Sequence, residues 1–391
     1  MKIIQLTTYF HPSVGGVERQ AEEIAYHLGG LGHEVEVFTT DATHGREKRM
    51  QRLGDNYRGL KITRFRYLFG LGNFLRFAPG LIWKLWRADF DILHVHNVHD
   101  GHLLPALLVK SLRHKKLVLT GHNPFIVGAE KRGEKLNRGV AFYEWVLGLR
   151  VFRSKIDLYI ALLESEKQTV MQRFRLPSEK VVVIPNGIQD LYYENDGSAE
   201  SFYQEWEINP QDWDLIVGTA SRLNFVKGLQ NLQYAVRDLP RVLFVFVGGD
   251  DGYGENLRKM YAKYPNVIFT EHYLPSEELK NFYRAIDLFL LPSVYEPFGM
   301  TVVEAMAQGK LVLATNNGGP PEILPQGTGE VLDPADQQLW KERIAYYAEH
   351  KHEINIRGEV SRSLAGAYTW GHVISQIDEA YRGISDKKLS A

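Results

Sequence analysis

Pro292-Ser-Val-Tyr-Glu-Pro-Phe-Gly-Met-Thr-Val-Val-Glu-Ala-Met-Ala307 follows an apolar run, Asp287-Leu-Phe-Leu-Leu291, and leads into helical spacing. The run reads as a buried strand that stops at Pro292, since proline has no N–H for a ladder. After Gly299, residues Met300, Val303 and Ala307 recur with helical spacing. Glu296 is therefore expected in the strand-to-helix loop, and Glu304 about one turn into the helix. In an α/β sheet such a loop lies at the carboxyl end of a strand, where ligands bind. The N–H groups of Gly299, Met300 and Thr301 are expected to point outward, suited to an anion or a sugar hydroxyl. Carboxylates at this position can accept hydrogen bonds from the vicinal hydroxyls of a ribose or hexose. The plainer alternative is a surface Glu followed by a Glu that stabilises a helix start.

Outward from this stretch the same alternation repeats. Strands are predicted at 3–6, 35–40, 60–65, 92–96, 117–120, 158–162 and 181–184, with helices at 16–30, 99–113, 138–153 and 164–174 between them. A polar break near residue 190 precedes a second series of strands at 215–220, 242–247, 267–270, 288–291, 311–314 and 330–332. Apolar strands alternating with helices describe α/β domains with parallel sheets. At 391 residues, the chain exceeds what a single core usually supports. Two Rossmann-like, doubly wound domains follow, 1–190 and 191–369, with a last helix in 370–391 that no strand follows.

Composition removes several function classes. A net charge of −1 gives no case for a nucleic-acid partner. The absence of cysteine excludes disulfides, thiolate metal sites and a cysteine nucleophile, and fits a reducing cytoplasm. The first ten residues read as a strand rather than a leader, and no apolar run is long enough to span a bilayer. Neither Gly70-Leu-Gly72 nor the glycines of 248–254 have the dinucleotide-binding spacing.

Three further stretches carry candidate chemistry. Ser221-Arg-Leu-Asn-Phe-Val-Lys-Gly228 follows a buried strand, placing Arg222 and Lys227 to neutralise two phosphates, one by a planar fork and one as a point charge. Gly15 and Gly16, at a helix start, either make a tight turn or bring backbone N–H groups close to a phosphate. His122 ends a strand in Leu117-Val-Leu-Thr-Gly-His-Asn-Pro-Phe125; a lone histidine there is usually structural. Two Asp-x-Asp pairs, Asp89/Asp91 and Asp212/Asp214, precede strands and so lie away from the ligand end, where turns and caps are expected. His94, His96, His99 and His102 are dense, but no carboxylate set completes a zinc pattern, and no metal site is assigned. Residues 64–87 hold five cations, seven aromatics and no acid. They read either as a membrane-interface segment or as a core helix with snorkelling cations.

The Glu296–Glu304 stretch resembles the Glu-x7-Glu motif of retaining glycosyltransferases of family 4, which have the GT-B fold. Gly-Gly-Val-Glu-Arg19, the Arg-Leu…Lys-Gly228 segment and Gly318-Gly-Pro-Pro-Glu322 are similar to further motifs of that family, in the same order along the chain. Ser221 stands where the family has glycine. The resemblance implies two Rossmann-like domains facing across a cleft, with the 370–391 helix packing back on the first. It implies donor binding mainly by the second domain: Glu304 at the ribose, Arg222 and Lys227 at the diphosphate, Glu296 and the backbone of Phe298, Gly299, Met300 and Thr301 at the sugar. It also places Gly15 and Gly16 against the diphosphate and His122 beside the transferred sugar, making His122, Arg222, Lys227 and Glu296 the catalytic set. The activity implied is metal-independent, retaining transfer of a hexosyl group from a nucleotide-diphosphate sugar to a sugar or lipid-linked acceptor, with no cofactor. A cytoplasmic protein, peripheral on the inner face of a membrane through 64–87, is the matching expectation. Alternatives on the same scaffold are a nucleotide-sugar epimerase, a sugar phosphorylase or a silent regulatory subunit.

Overall fold

The computed structural model describes residues 1–13, 15–43, 55–71, 75–98, 101–122, 145–146, 153–194, 196–270 and 272–386. The chain forms two compact units, Met1–Gly187 with Trp370–Ala391, and Ile188–Thr369. The predicted helix at 138–153 and His99 fall largely or wholly outside the described residues.

In the first unit the strands are β1 (Lys2–Leu6), β2 (Glu34–Thr40), β3 (Asp55–Tyr57), β4 (Leu60–Phe65), β5 (Phe69–Leu71), β6 (Leu75–Phe77), β7 (Ile92–His96), β8 (Lys116–Thr120), β9 (Leu158–Ala161) and β10 (Val181–Val183). Eight of them make one sheet in the order β10-β9-β8-β7-β1-β2-β4-β3. Only β3 runs antiparallel within it, pairing with β4 at the edge. The period of two along each strand divides the apolar residues between two cores. Leu6, Leu93, Val95, Leu117 and Leu119 enter one core. Ile3, Ile92, Val118 and Ile160 enter the other, with Ile24 and Leu28 of the helix Gly16–Gly30.

That second core is closed by the helix Trp370–Asp386. Its Trp370, Val373, Ile374, Ile377, Tyr381 and Ile384 recur at helical spacing and are all buried. At about 1.5–3 kcal/mol per large apolar side chain buried, six such residues fasten the end of the chain to the first unit. Gly187 makes room for the tryptophan: a Cβ there would sit 2.7 Å from the Trp370 ring. His33 Nε2 lies 2.9 Å from Asp378 on the same helix.

The 64–87 segment is not a single amphipathic element. Arg64 is buried in β4, its guanidinium donating to the His11 carbonyl. β5 and β6 then pair as an antiparallel ribbon, and of the segment's described residues only Pro79–Arg87 are helical. That helix packs by one face only: Leu81 and Leu85 are buried, as the core reading expects, while Trp83 and Trp86 are exposed. Among the described residues no helix is long and apolar enough to cross a membrane.

The second unit has β11 (Leu215–Ala220), β12 (Val242–Val247), β13 (Val267–Phe269), β14 (Leu288–Leu291), β15 (Leu311–Thr315) and β16 (Gly329–Leu332), all parallel, in the order β13-β12-β11-β14-β15-β16. The first strand of the unit thus sits in the middle and the chain winds outward both ways. The switch point lies between β11 and β14, and a crevice outside their carboxyl ends is where such sheets bind ligands. In the first unit the corresponding point lies between β1 and β7, which pair with each other.

Candidate active site

At the second switch point, β11 leads to Ser221–Gly228 and β14 to Pro292–Gly299. Two glycines permit these loops to meet. Gly228 has φ +71, and a Cβ on it would lie 1.8 Å from the Pro292 carbonyl oxygen. Gly318, after β15, has φ +103, and its Cβ would lie 2.0 Å from the Glu296 carbonyl oxygen. The Val294 N–H donates to the Val226 carbonyl (2.8 Å), the Glu296 N–H to Asn317 (3.1 Å), and the Gly319 N–H to Glu296 (2.9 Å). Three strand ends are thereby tied at Glu296.

The side chains complete the arrangement. Lys227 Nζ donates to Glu296 Oε2 at 2.7 Å, and Ser293 Oγ donates to the same oxygen at 3.2 Å. The two charges are largely buried, with side-chain exposures of 18% and 11%, so their attraction is less screened than at the surface. Arg222, by contrast, is exposed, and its Nη1 donates to Asp251 Oδ2 at 2.9 Å; Asn224 Nδ2 donates to the same oxygen. Asp251 comes from the loop after β12, drawn in by the Leu223 N–H donating to Gly249 and the Asp251 N–H donating to Leu223. Exposed pairs of this kind contribute about 0–1 kcal/mol, so Arg222 can exchange partners at little cost.

Gly299, at φ +107, turns the chain into the helix Met300–Ala307. Glu304 lies on that helix, buried, and accepts from the Tyr283 hydroxyl at 2.8 Å. The Phe298 ring is buried against Tyr368, which leaves its backbone as the part suited to a ligand. The sequence thus anticipates where Arg222, Lys227, Glu296 and Glu304 lie. It does not reveal Ser293, Tyr283 or Asp251 as their partners.

In the first unit Gly15 precedes the helix Gly16–Gly30, and a Cβ on Gly16 would meet no atom within 4 Å. Open space at a helix start suits an anion, though Gly16 itself needs no glycine for packing. His122 follows β8 in the left-handed region, at φ +54. Its Nε2 lies 3.1 Å from His96 Nδ1, and His96 Nε2 lies 2.7 Å from Gln5 Oε1. Gln5 Nε2 is 3.4 Å from the Tyr381 hydroxyl, which is 2.6 Å from His94 Nδ1; His94 Nε2 is 2.7 Å from Thr120 Oγ1. Burial pushes the imidazoles down, His94 to about 3 and His122 to about 4, and His96 well below its ordinary value, so all three are neutral near pH 7. In the sequence His96 and His94 read only as candidates in a metal cluster. The overlooked signal is Gln5, a polar residue inside an apolar strand.

The remaining candidates have structural roles. Asp89 pairs with Lys2, and Asp91 accepts from the Lys2 N–H. Asp214 pairs with Arg241, and Asp212 accepts from Asn209. His102 Nε2 accepts from the Ala78 N–H. Among the described residues no group of three His, Cys, Asp or Glu could hold a metal ion.

Residues 14–190 match the family model Glycosyltransferase Family 4, and residues 203–360 match Glycosyl transferases group 1. An uncharacterized glycosyltransferase of Methanocaldococcus jannaschii is 26% identical over 83% of this chain and 83% of its own length. The D-inositol 3-phosphate glycosyltransferase of Corynebacterium kroppenstedtii is 23% identical, covering 94% of this chain and 85% of its own length. The crystal structure of Anabaena HepE in complex with UDP superposes with a TM-score of 0.78 at 20% identity, over 98% of this chain and 100% of that one. The same protein has been solved with UDP-glucose, and superposes at 0.76. These likenesses identify the architecture as GT-B.

Proposed function

This chain belongs to family 4 of the glycosyltransferases, and we propose that it moves a hexosyl group from a nucleotide-diphosphate sugar to a sugar or lipid-linked acceptor, retaining the anomeric configuration and using no metal. The observation that carries this reading is the Lys227–Glu296 pair, fixed at the switch point by backbone approaches that only Gly228 and Gly318 allow. Charge is needed there because the leaving nucleoside diphosphate gains negative charge as the glycosidic bond breaks. Lys227 and Arg222 supply it, and Glu304 accepts from the ribose hydroxyls. The UDP and UDP-glucose bound to HepE support a nucleotide-sugar donor.

A retaining hydrolase uses a carboxylate nucleophile with a second carboxyl about 5 Å away. Glu296 does not fit the nucleophile's role, since its Oε2 already accepts from both Lys227 and Ser293. The route that these groups support is same-face attack. The bond from the anomeric carbon to the phosphate oxygen breaks, its electron pair stays on phosphate, and the acceptor oxygen bonds to the oxocarbenium-like carbon from the same side. The acceptor proton passes to the departing phosphate oxygen. Lys227 and Arg222 steady that oxygen, the role a cation would otherwise fill.

The helix Pro79–Arg87 supports a lipid-linked acceptor. Its exposed Trp83 and Trp86 accompany Lys84 and Arg87, with the Arg87 guanidinium 4.0 Å from the Trp83 ring centre. Aromatic and cationic side chains together suit the interface of an anionic membrane, which supports a peripheral position on the cytoplasmic face. The test is incubation with UDP-, GDP- and ADP-hexoses, acceptor lipids and excess EDTA, with the product anomer read by NMR. The expected product keeps the donor's configuration, without added metal. An inverted product, a need for metal, donor isomerised without acceptor, or sugar released only with phosphate would each overturn the reading.

A further inference from the structure

The imidazoles of His94 and His96, buried, and of His122, partly buried, form one continuous hydrogen-bonded chain with Gln5 at its centre. Gln5 pairs with His94 in the register between β1 and β7, and is fully buried. His94 and His96 leave the same face of β7, with ring centres 4.2 Å apart. Tyr381 enters from the helix Trp370–Asp386. Along the chain run Thr120, His94, Tyr381, Gln5, His96 and His122.

A neutral imidazole donates at one nitrogen and accepts at the other. A hydroxyl serves in either sense. Such a chain therefore has two self-consistent proton orders, and reversing one bond reverses all of them. The primary amide is the exception, since Oε1 only accepts and Nε2 only donates. With Gln5 Oε1 2.7 Å from His96 Nε2, that nitrogen must carry the proton and donate. His96 Nδ1 is then an acceptor, so His122 Nε2 donates to it across 3.1 Å. On the other side Gln5 Nε2 donates to the Tyr381 oxygen, Tyr381 donates to His94 Nδ1, and His94 Nε2 donates to Thr120.

We propose that Gln5 is a positioning residue that, through His96, holds His122 as its Nε2–H tautomer, so that His122 Nδ1 meets a hydroxyl of the transferred sugar as an acceptor. The sugar contact rests on the functional reading above; the tautomer does not. The two residues that set this order lie in separate strands, Gln5 at the carboxyl end of β1 and His96 at that of β7, which flank the first unit's switch point. A change at either would alter His122 without touching the ligand. Which ring nitrogen of a histidine carries its proton is governed by the bond at the other.

The test is long-range proton–nitrogen NMR on the full chain labelled in histidine, at pH 7.5, with signals assigned by His94→Gln, His96→Gln and His122→Asn. The wild type should show Nε2 protonated at His96 and His122, and Gln5→Leu should show mixed or reversed tautomers at His122. A protonated Nδ1 at His122 in the wild type would overturn the proposal. So would an unchanged Nε2–H in a folded Gln5→Leu chain. Should Gln5→Leu not fold, Gln5→Met keeps the side-chain length and removes the same amide; unchanged His122 signals in that folded chain would count equally against it. In the same Gln5→Leu chain, donor turnover should fall on the order of tenfold, the worth of about one hydrogen bond. Affinity for UDP, GDP or ADP, whichever binds, should hold, because neither Gln5 nor His122 is among the groups assigned to the nucleotide. A shifted tautomer with unchanged turnover would overturn the sugar contact. Failure of the wild type to bind any nucleotide would count against the functional reading and leave the tautomer result standing.

Discussion

The two units place opposite chemistry at equivalent points of similar sheets. In the second, the strand ends beside the switch point present charge: Lys227 with Glu296, and Arg222 with Asp251. In the first, they present neutral imidazoles, those of His94 and His96 buried and that of His122 partly so, joined through an amide and a phenol. One fold rule selects the place in both units; the side chains select what can be held there. Ion pairs that exchange partners suit a ligand carrying several negative charges, which must also leave. A fixed chain of neutral donors and acceptors suits hydroxyl groups, for which orientation matters more than field.

The largest expected effect falls on the charged unit. Lys227→Ala removes the cation held between Glu296 and the expected phosphate, and leaves Glu296 buried with Ser293 as its side-chain donor among the described residues. Donor turnover should fall by about 10²–10³-fold, as when one transition-state donor is lost elsewhere; a fall under tenfold in steady-state kinetics would place the diphosphate elsewhere. Next comes the neutral unit. The unfolded chain takes up protons on His94, His96 and His122 below about 6.5, whereas burial keeps the folded unit from doing so until much lower pH, about 4 for His122 and 3 for His94. Stability from these groups is therefore complete above the unfolded value and is lost as pH falls from 6.5 through 4. Amide exchange in β1, β7 and β8 should quicken between pH 7 and pH 5, once corrected for its intrinsic rate, while β11 and β14 stay protected. Equal change in both sheets would erase the distinction between the units. The smallest effect is expected from Asp251→Asn. It takes away the exposed anion that competes for Arg222, and nucleoside-diphosphate affinity should rise about two- to fivefold with stability altered by less than about 0.5 kcal/mol. Weaker binding would mean that Asp251 orients Arg222 rather than competing for it.

What the sequence shows of this arrangement follows from how far each signal reaches. The strands around β11 and β14 are buried on both faces, so their apolar runs stand out, and Glu296 and Glu304 sit within sixteen consecutive residues that mark strand, loop and helix. Gly318-Gly319 also announces a turn, although the reason for it, a 2.0 Å approach to the Glu296 carbonyl oxygen, appears only in the fold. The histidine chain is hidden because its partners are remote: Gln5 and Tyr381 are 376 positions apart. No local period links them. The 64–87 stretch misleads for the opposite reason. Its composition is uniform, but Arg64 is buried in an internal strand of the sheet and the antiparallel ribbon of β5 and β6 precedes a helix of nine residues.

The central claim, that the charged strand ends of the second unit hold a nucleotide-sugar donor, is tested most directly by calorimetric titration of UDP, GDP and ADP into the wild type, Arg222→Ala and Glu304→Ala. One nucleotide should bind the wild type and bind at least about tenfold more weakly to each variant, the loss of roughly one charge-assisted hydrogen bond. Binding of none of the three, or binding that neither substitution alters, would contradict it.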